Sequence, residues 1–194
     1  MKNRLYLSNL RRTLLSAGII LSLTAIAVAQ EATTATKVKI KNFGQMDDRF
    51  YRGAQPKEKD YKDLAVLGIR TIIDLREDPE QYERPLVESL GMKYVHIPMI
   101  AKKYPTPEAT QQFLSTVNDP STGKFFVHCA GGRHRTGAMG AVYRFELYNW
   151  DFEKVYKEMK QYDFYTRWGH GAFKDFVKDY YSQMQKEKPV EQQK

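Results

Sequence analysis

The sequence predicts an α/β protein with a central, mostly parallel sheet of four to five strands flanked by helices. Three stretches carry that expectation. Lys57 to Leu67 has helical spacing and runs through Gly68 into Ile69-Arg70-Thr71-Ile72-Ile73-Asp74-Leu75, a β-branched run of the kind buried inside a sheet. Pro79 to Leu90, followed by Met92 to Ile97, repeats the rhythm of helix then buried strand. Lys124 to His128 is a short apolar strand that passes through a glycine-rich loop into a helix from Thr136 to Leu147.

Each element has a local reason. Val38, Ile40 and Phe43 alternate and start a first strand, and Arg49 to Arg52 makes a second. Ala54-Gln55-Pro56 turns the chain, with Pro56 just ahead of a helix whose apolar face is Tyr61, Leu64 and Ala65 and which Gly68 stops. Asp74 and Arg76 close the central strand as an ion pair or hydrogen-bonded network that fixes the next loop. Gly91 ends the short helix within 79–90, and His96 falls mid-strand, where a satisfied structural histidine is expected. Pro98 to Pro105 is an irregular loop carrying Lys102 and Lys103. Thr106 caps a helix with Pro107 at its first position, running to about Asn118, and residues 118–123 form a turn. After the Thr136 helix, Asp151 caps a helix from Phe152 to Gln161, and an aromatic, irregular stretch follows to Gly171. In the last helix, Ala172 to Met184, the residues Phe173, Phe176, Val177, Tyr180, Tyr181 and Met184 recur at spacings of three and four, a packed stripe.

Residues 1–29 have the three parts of a secretory signal: a basic start through Arg12, an apolar run from Leu14 to Val28, and Ala27-Val28-Ala29 as a cleavage site. The run is short for a membrane span and contains Ser16, Gly18, Ser22 and Thr24, so cleavage and export, to periplasm or medium, are expected. Membrane contact is expected only if this segment stays uncleaved. Residues 30–37 read as a linker, 38–185 as one domain and 186–194 as a disordered tail. The net charge of +8 overstates the domain, because four of the 31 basic residues precede the linker and face no acid there. The remaining excess suits acidic substrates, and no basic stripe with interleaved aromatics points to nucleic acid. A single cysteine excludes an internal disulfide, and four histidines without paired spacing give no metal-binding pattern. No cofactor is implied, and a monomer is expected.

The chemistry concentrates in His128-Cys129-Ala130-Gly131-Gly132-Arg133-His134-Arg135-Thr136-Gly137. A loop between strand and helix aims backbone N–H groups and the positive helix end at one small volume, which suits an anion of phosphate size. Cys129 stands at its start, where N–H donors, the helix terminus and nearby cations can turn a thiol into a thiolate nucleophile. Arg135 offers a planar fork matched to two phosphoryl oxygens. Thr136 places a hydroxyl where it can stabilise departing sulfur. Ala130, Gly131, Gly132, Arg133 and His134 form the cradle, the glycines permitting its close approach, and His128 supports it from the strand.

Cys-x5-Arg followed by Thr-Gly and preceded by His on a strand resembles the signature loop of the cysteine-dependent protein tyrosine and dual-specificity phosphatases. With Phe50-Tyr51-Arg52-Gly53-Ala54-Gln55-Pro56 and Leu67 to Arg76, residues 38 to 184 are most similar to the atypical dual-specificity phosphatases of plants and fungi and their bacterial relatives. The resemblance implies a protein-tyrosine-phosphatase-like fold with the loop between a central strand and the next helix. It also implies hydrolysis through a cysteinyl-phosphate intermediate, and an aspartic acid as proton donor in the loop after the strand that ends at Ile97. This sequence has no acid there. Glu108, Asp163 and His170, with His134 inside the loop, are the candidates that remain.

With a weak or absent acid, leaving groups of low pKa are favoured, namely phosphotyrosine-like aryl esters and phosphoanhydrides. The partners expected are a phosphorylated protein or a small phosphoester; for inositol phosphates the resemblance is the ground. Two other readings stay open: a phosphate-binding pseudophosphatase module without turnover, and a rhodanese-like sulfurtransferase. Cys129 and Arg135 would both be superfluous to the first, and the Arg135-Thr136-Gly137 ending argues against the second.

Overall fold

A computed structural model describes residues 38–187. The expected signal segment, the linker and the tail from residue 188 lie outside the described residues. Five strands form one sheet: β1 (Gly44–Gln45), β2 (Phe50–Ala54), β3 (Thr71–Asp74), β4 (Lys93–His96) and β5 (Phe125–Cys129). Their order is β1-β2-β5-β3-β4, parallel throughout except for β1, which returns antiparallel along β2. β5 is therefore the middle strand, and its carboxyl end opens where ligands bind in parallel α/β sheets.

All five residues of β5 are buried because both sheet faces are covered. On one face α1 (Asp60–Val66) and α2 (Glu83–Ser89) pack Tyr61, Leu64 and Val87 against Ile72 and Phe126. On the other, α3 (Pro107–Asn118), α4 (Arg135–Tyr148), α5 (Phe152–Gln161) and α6 (Gly171–Glu187) enclose Phe125, Val127 and Cys129. Phe50 joins the two elements that matter most, its ring 4.9 Å from both Phe125 on β5 and Tyr143 on α4. Each such phenylalanine contributes about 1.5–3 kcal/mol by leaving water.

α4 is buried without interruption from Thr136 to Phe145, so it is a central helix rather than an amphipathic surface one. Its small residues Gly137, Ala138, Gly140 and Ala141 let neighbours approach from several sides. The flanking helices begin as expected. Thr106 Oγ1 accepts the Ala109 N–H at 3.2 Å, and Asp151 Oδ1 accepts that of Lys154 at 2.8 Å. Phe173, Phe176 and Val177 on α6 are core, as their spacing requires.

Three local expectations are corrected. The first strand is not Val38 to Phe43: Asn42 turns left-handed (φ 53°), the Phe43 N–H closes onto Ile40 O, and pairing begins only at Gly44. Pro56 does not open α1, because the Asp60 carboxylate takes the Lys57 N–H at 2.9 Å and holds a turn before the helix starts at Asp60. α6 continues to Glu187, past Met184, where the apolar stripe ends.

Candidate active site

β5 ends at Cys129 and α4 starts at Arg135, so residues 130–134 form the connecting loop. Its first three carbonyls are each held from outside by the segment 42–55. The Gln55 N–H reaches Ala130 O at 3.4 Å, Asn42 Nδ2 reaches Gly131 O at 2.8 Å, and Arg52 Nη2 reaches Gly132 O at 2.7 Å. In a planar trans peptide the following N–H points the opposite way. Fixing these carbonyls outward therefore turns the N–H groups of Gly131, Gly132 and Arg133 inward, which builds the cradle. Gly132 sits at φ 65°, and a Cβ there would lie 2.4–2.5 Å from the backbone of Gly53 and Ala54.

Cys129 is 3% exposed and lies at the floor of this loop. Burial alone would push the thiol up. The Arg135 guanidinium, the Thr136 hydroxyl and the N–H groups of Thr136 and Gly131 outweigh it and hold Cys129 below its ordinary value. The Thr136 hydroxyl is buried and has no other hydrogen-bond partner. Arg135 Nη1 donates to Leu75 O at 3.4 Å and Met99 O at 3.1 Å, beyond the ends of β3 and β4. Both hydrogens of that nitrogen are thus anchored, and the side-on fork of Nε and Nη2 is left for a bidentate grip on an anion.

His128 points away from the sulfur, to the opposite face of the sheet. Its ring is fully buried, with Nε2 2.7 Å from Glu83 Oε1 on α2 and Nδ1 3.7 Å from Asp74 Oδ1. Arg76 ties the same two carboxylates, at 3.2 Å to Asp74 and 3.1 Å to Glu83, while Tyr94 OH donates to Asp74 at 3.0 Å. Burial would raise the Asp74 carboxyl, but His128 and the Arg76 fork reverse this and hold it low. The Asp74–Arg76 pair expected after β3 is therefore part of a buried network beneath the loop. Asp74, Glu83 and His128 are the only group of three possible ligands within ligating range among the described residues. Arg76 already supplies a cation between the two carboxylates. His96 Nε2 is satisfied by Arg76 O at 2.7 Å.

The aromatic stretch after α5 covers the loop from the other side, a contact with no counterpart in the local sequence pattern. His134 Nε2 lies 3.0 Å from Tyr165 O and must donate to it, and its ring stacks on His170 at 3.7 Å and 8°. Burial, His170 and the charges of Arg133 and Arg135 push His134 down to about 4, so both its direction and its neutrality disqualify it as proton donor at pH 7. Burial with Lys102, Arg133 and Arg135 likewise lowers His170. Asp163 pairs with Arg133 at 3.6 Å, both partly exposed. Glu108 is exposed on the first turn of α3, and no hydrogen bond or ion pair among the described residues joins it to the loop. The structure thus brings Asp163 and His170 to the loop rim through Arg133 and His134, and shows no such contact for Glu108.

A strand-loop-helix cradle with an ionisable sulfur and a free arginine fork is built to hold and attack a tetrahedral anion. The family model for "DSP-PTPase phosphatase fused to NAD+ Kinase" matches residues 22–176. The chain belongs to this phosphatase family. It is 28% identical over 126 residues to the probable tyrosine-protein phosphatase DG1060 of Dictyostelium discoideum, covering 62% of this chain and 75% of that protein. It is also 28% identical over 127 residues to the inositol diphosphatase DSP5 of Arabidopsis thaliana, covering 62% and 61%. In fold it is similar to the core catalytic domain of the PP-IP phosphatase SIW14 from S. cerevisiae, with a TM-score of 0.60, 20% identity and coverage of 75% and 94%. The phosphatase is thus an α/β hydrolytic enzyme of the dual-specificity type on a protein-tyrosine-phosphatase-like fold.

Sequence reasoning missed the residues that shape the loop of this phosphatase: Asn42, Arg52, Gln55, Glu83 and the cover formed by Tyr162 to His170. One signal was available, an arginine within a strand expected to pack against the core. The cradle's dependence on close backbone approach gives a direct test. Gly132→Ala is expected to lower turnover of p-nitrophenyl phosphate by about 10²-fold or more while the domain still melts cooperatively, since both the left-handed φ and the β2 contact are lost. Turnover within threefold of wild type would show that the loop can form without that approach.

Proposed function

We propose that the phosphatase works in two steps. The Cys129 thiolate attacks phosphorus, the S–P bond forms as the bond to the leaving oxygen breaks, and a cysteinyl-phosphate remains. Water then attacks phosphorus, phosphate leaves, and the thiolate is restored with Thr136 stabilising the departing sulfur. The loop N–H groups and the Arg135 fork neutralise the equatorial oxygens, so the charge work needs no metal. The observation that carries this reading is the Cys129 sulfur at the loop floor, where Arg135, the Thr136 hydroxyl and the loop N–H groups favour its thiolate against burial.

The substrates proposed are aryl phosphates and phosphoanhydrides. His134 is neutral and turned to Tyr165, Asp163 is tied to Arg133 and Glu108 makes no hydrogen bond or ion pair with the loop among the described residues, so leaving groups that depart without a proton are favoured. The kinship with an inositol diphosphatase supports the anhydride, and the kinship with a tyrosine-protein phosphatase supports the aryl ester. Lys102, Arg133 and Arg135 together surround His170 with positive charge, which suits a substrate bearing more than one phosphate. The basic start, apolar run and Ala29 site of the first 29 residues support export before the enzyme meets it.

Aryl phosphates and inositol pyrophosphates are expected to turn over at least about 100-fold faster than phosphoserine peptides, the span general acid help usually covers. Acid quenching during turnover should leave one phosphoryl group on the peptide containing Cys129. Equal rates on aryl and alkyl esters would reject the substrate assignment, and a quenched enzyme without bound phosphate would reject the intermediate.

A further inference from the structure

Arg52 is 1% exposed, yet none of the ion pairs among the described residues includes it. Its Nη2 holds Gly132 O at 2.7 Å, its guanidinium stacks over the Tyr162 ring at 4.1 Å, and its Nε has no hydrogen-bond partner. The space it occupies is left open by α4: a Cβ on Gly140 would lie 3.6 Å from Nη1, and one on Gly137 3.9 Å from Nη2. The charge therefore sits near the positive end of a helix, where a cation is disfavoured. A buried cation without a carboxylate is costly and needs another negative partner.

The sheet register identifies that partner. Arg52 pairs with Val127 and Ala54 with Cys129, so side chains of Arg52 and Cys129 leave the same face of the sheet toward α4. Glu158, which also acts on Arg52 through space, is already held by Arg144 at 2.7 Å. Burial pushes the Arg52 guanidinium down to about 10, and Tyr162, Cys129 and Glu158 oppose the fall, so it stays charged at neutral pH. The sulfur therefore has the Arg135 guanidinium from α4 and, along the same face of the sheet, the buried charge of Arg52 from β2.

We propose that Arg52 is a positioning residue of the reaction, which fixes the Gly132 carbonyl and acts as a second counter-cation beneath the Cys129 sulfur. It does not touch substrate. Arg135 grips the anion, whereas Arg52 keeps the nucleophile charged and the Arg133 N–H aimed inward. This rests on the reading of Cys129 as nucleophile.

Cys129 is the only cysteine, so its alkylation by iodoacetamide reads a single site. In the full folded protein, Arg52→Gln keeps a donor for Gly132 O but removes the charge, and Arg52→Lys keeps the charge but removes the fork. For R52Q the pH midpoint of the alkylation rate should rise by roughly 1–2 pH units, the effect of losing one close opposite charge. The acidic limb of kcat/KM should move with it, and R52K should stay within about half a unit of wild type. A purely structural arginine would change melting temperature in both variants and leave the midpoint where it was. A wild-type midpoint in R52Q, or an equal rise in both variants, overturns the proposal. Should R52Q not fold, R52K decides: a midpoint near wild type supports the proposal, and one raised by a full unit overturns it. These outcomes leave the two-step reading intact, which fails only if Cys129 itself proves dispensable.

Discussion

Serine in place of Cys129 is expected to reduce turnover of p-nitrophenyl phosphate by at least about 10⁴-fold, while inorganic phosphate still binds within a few-fold of wild type. The cradle that ionises a thiol cannot ionise a hydroxyl, whose pKa lies far higher. No base stands in for it: the His128 ring lies on the far face of the sheet against Glu83, and the His134 Nε2–H points at Tyr165 O. Oxygen is smaller than sulfur, so the substitution brings no clash, and the outside donors to the loop carbonyls keep the N–H groups in direction. Calorimetric titration with phosphate separates the two effects. Turnover within tenfold of wild type would remove the nucleophile from the mechanism, and loss of phosphate binding would show that the sulfur holds the loop in shape.

Alanine at position 135 is expected to lower kcat/KM by about 10³-fold, because two contributions vanish together. One is the bidentate grip on the phosphoryl oxygens, a charge-assisted pair realised most fully in the transition state. The other is the cation that counters burial at Cys129. Arg135 favours the deprotonated sulfur, so without it the thiolate forms only at higher pH, and the acidic limb of the pH profile moves upward. Lysine would restore the charge but not the fork, and should recover the pH profile better than the rate. An Arg135→Ala enzyme with an unshifted acidic limb would mean that the guanidinium serves substrate alone.

Much of this molecule was legible in its residues, and the limits were physical. Buried parallel strands declare themselves by β-branched runs, and α3 and α5 by Thr106 and Asp151, whose caps are local hydrogen bonds. The strand expected at Val38 to Phe43 failed because alternation says nothing about an asparagine free to turn left-handed. The nucleophilic loop was readable because its chemistry is contiguous. Its bracket was not, since Asn42 and Arg52 meet Gly131 and Gly132 across 89 and 80 positions, and no local pattern encodes such a meeting. Tyr162 to His170 looked only irregular, because its order comes from Tyr165 edge-on to His134 and His170 stacked on it rather than from backbone periodicity.

The outside donors to the loop also bear on the order in which the molecule is assembled. Contacts closing 80 or more residues repay their chain entropy late, after local helices and the β3–β4 pair have formed. Competence therefore arrives with the docking of β2 onto the middle of the sheet. Any transient detachment of that strand would silence the enzyme while most of its helices remained folded.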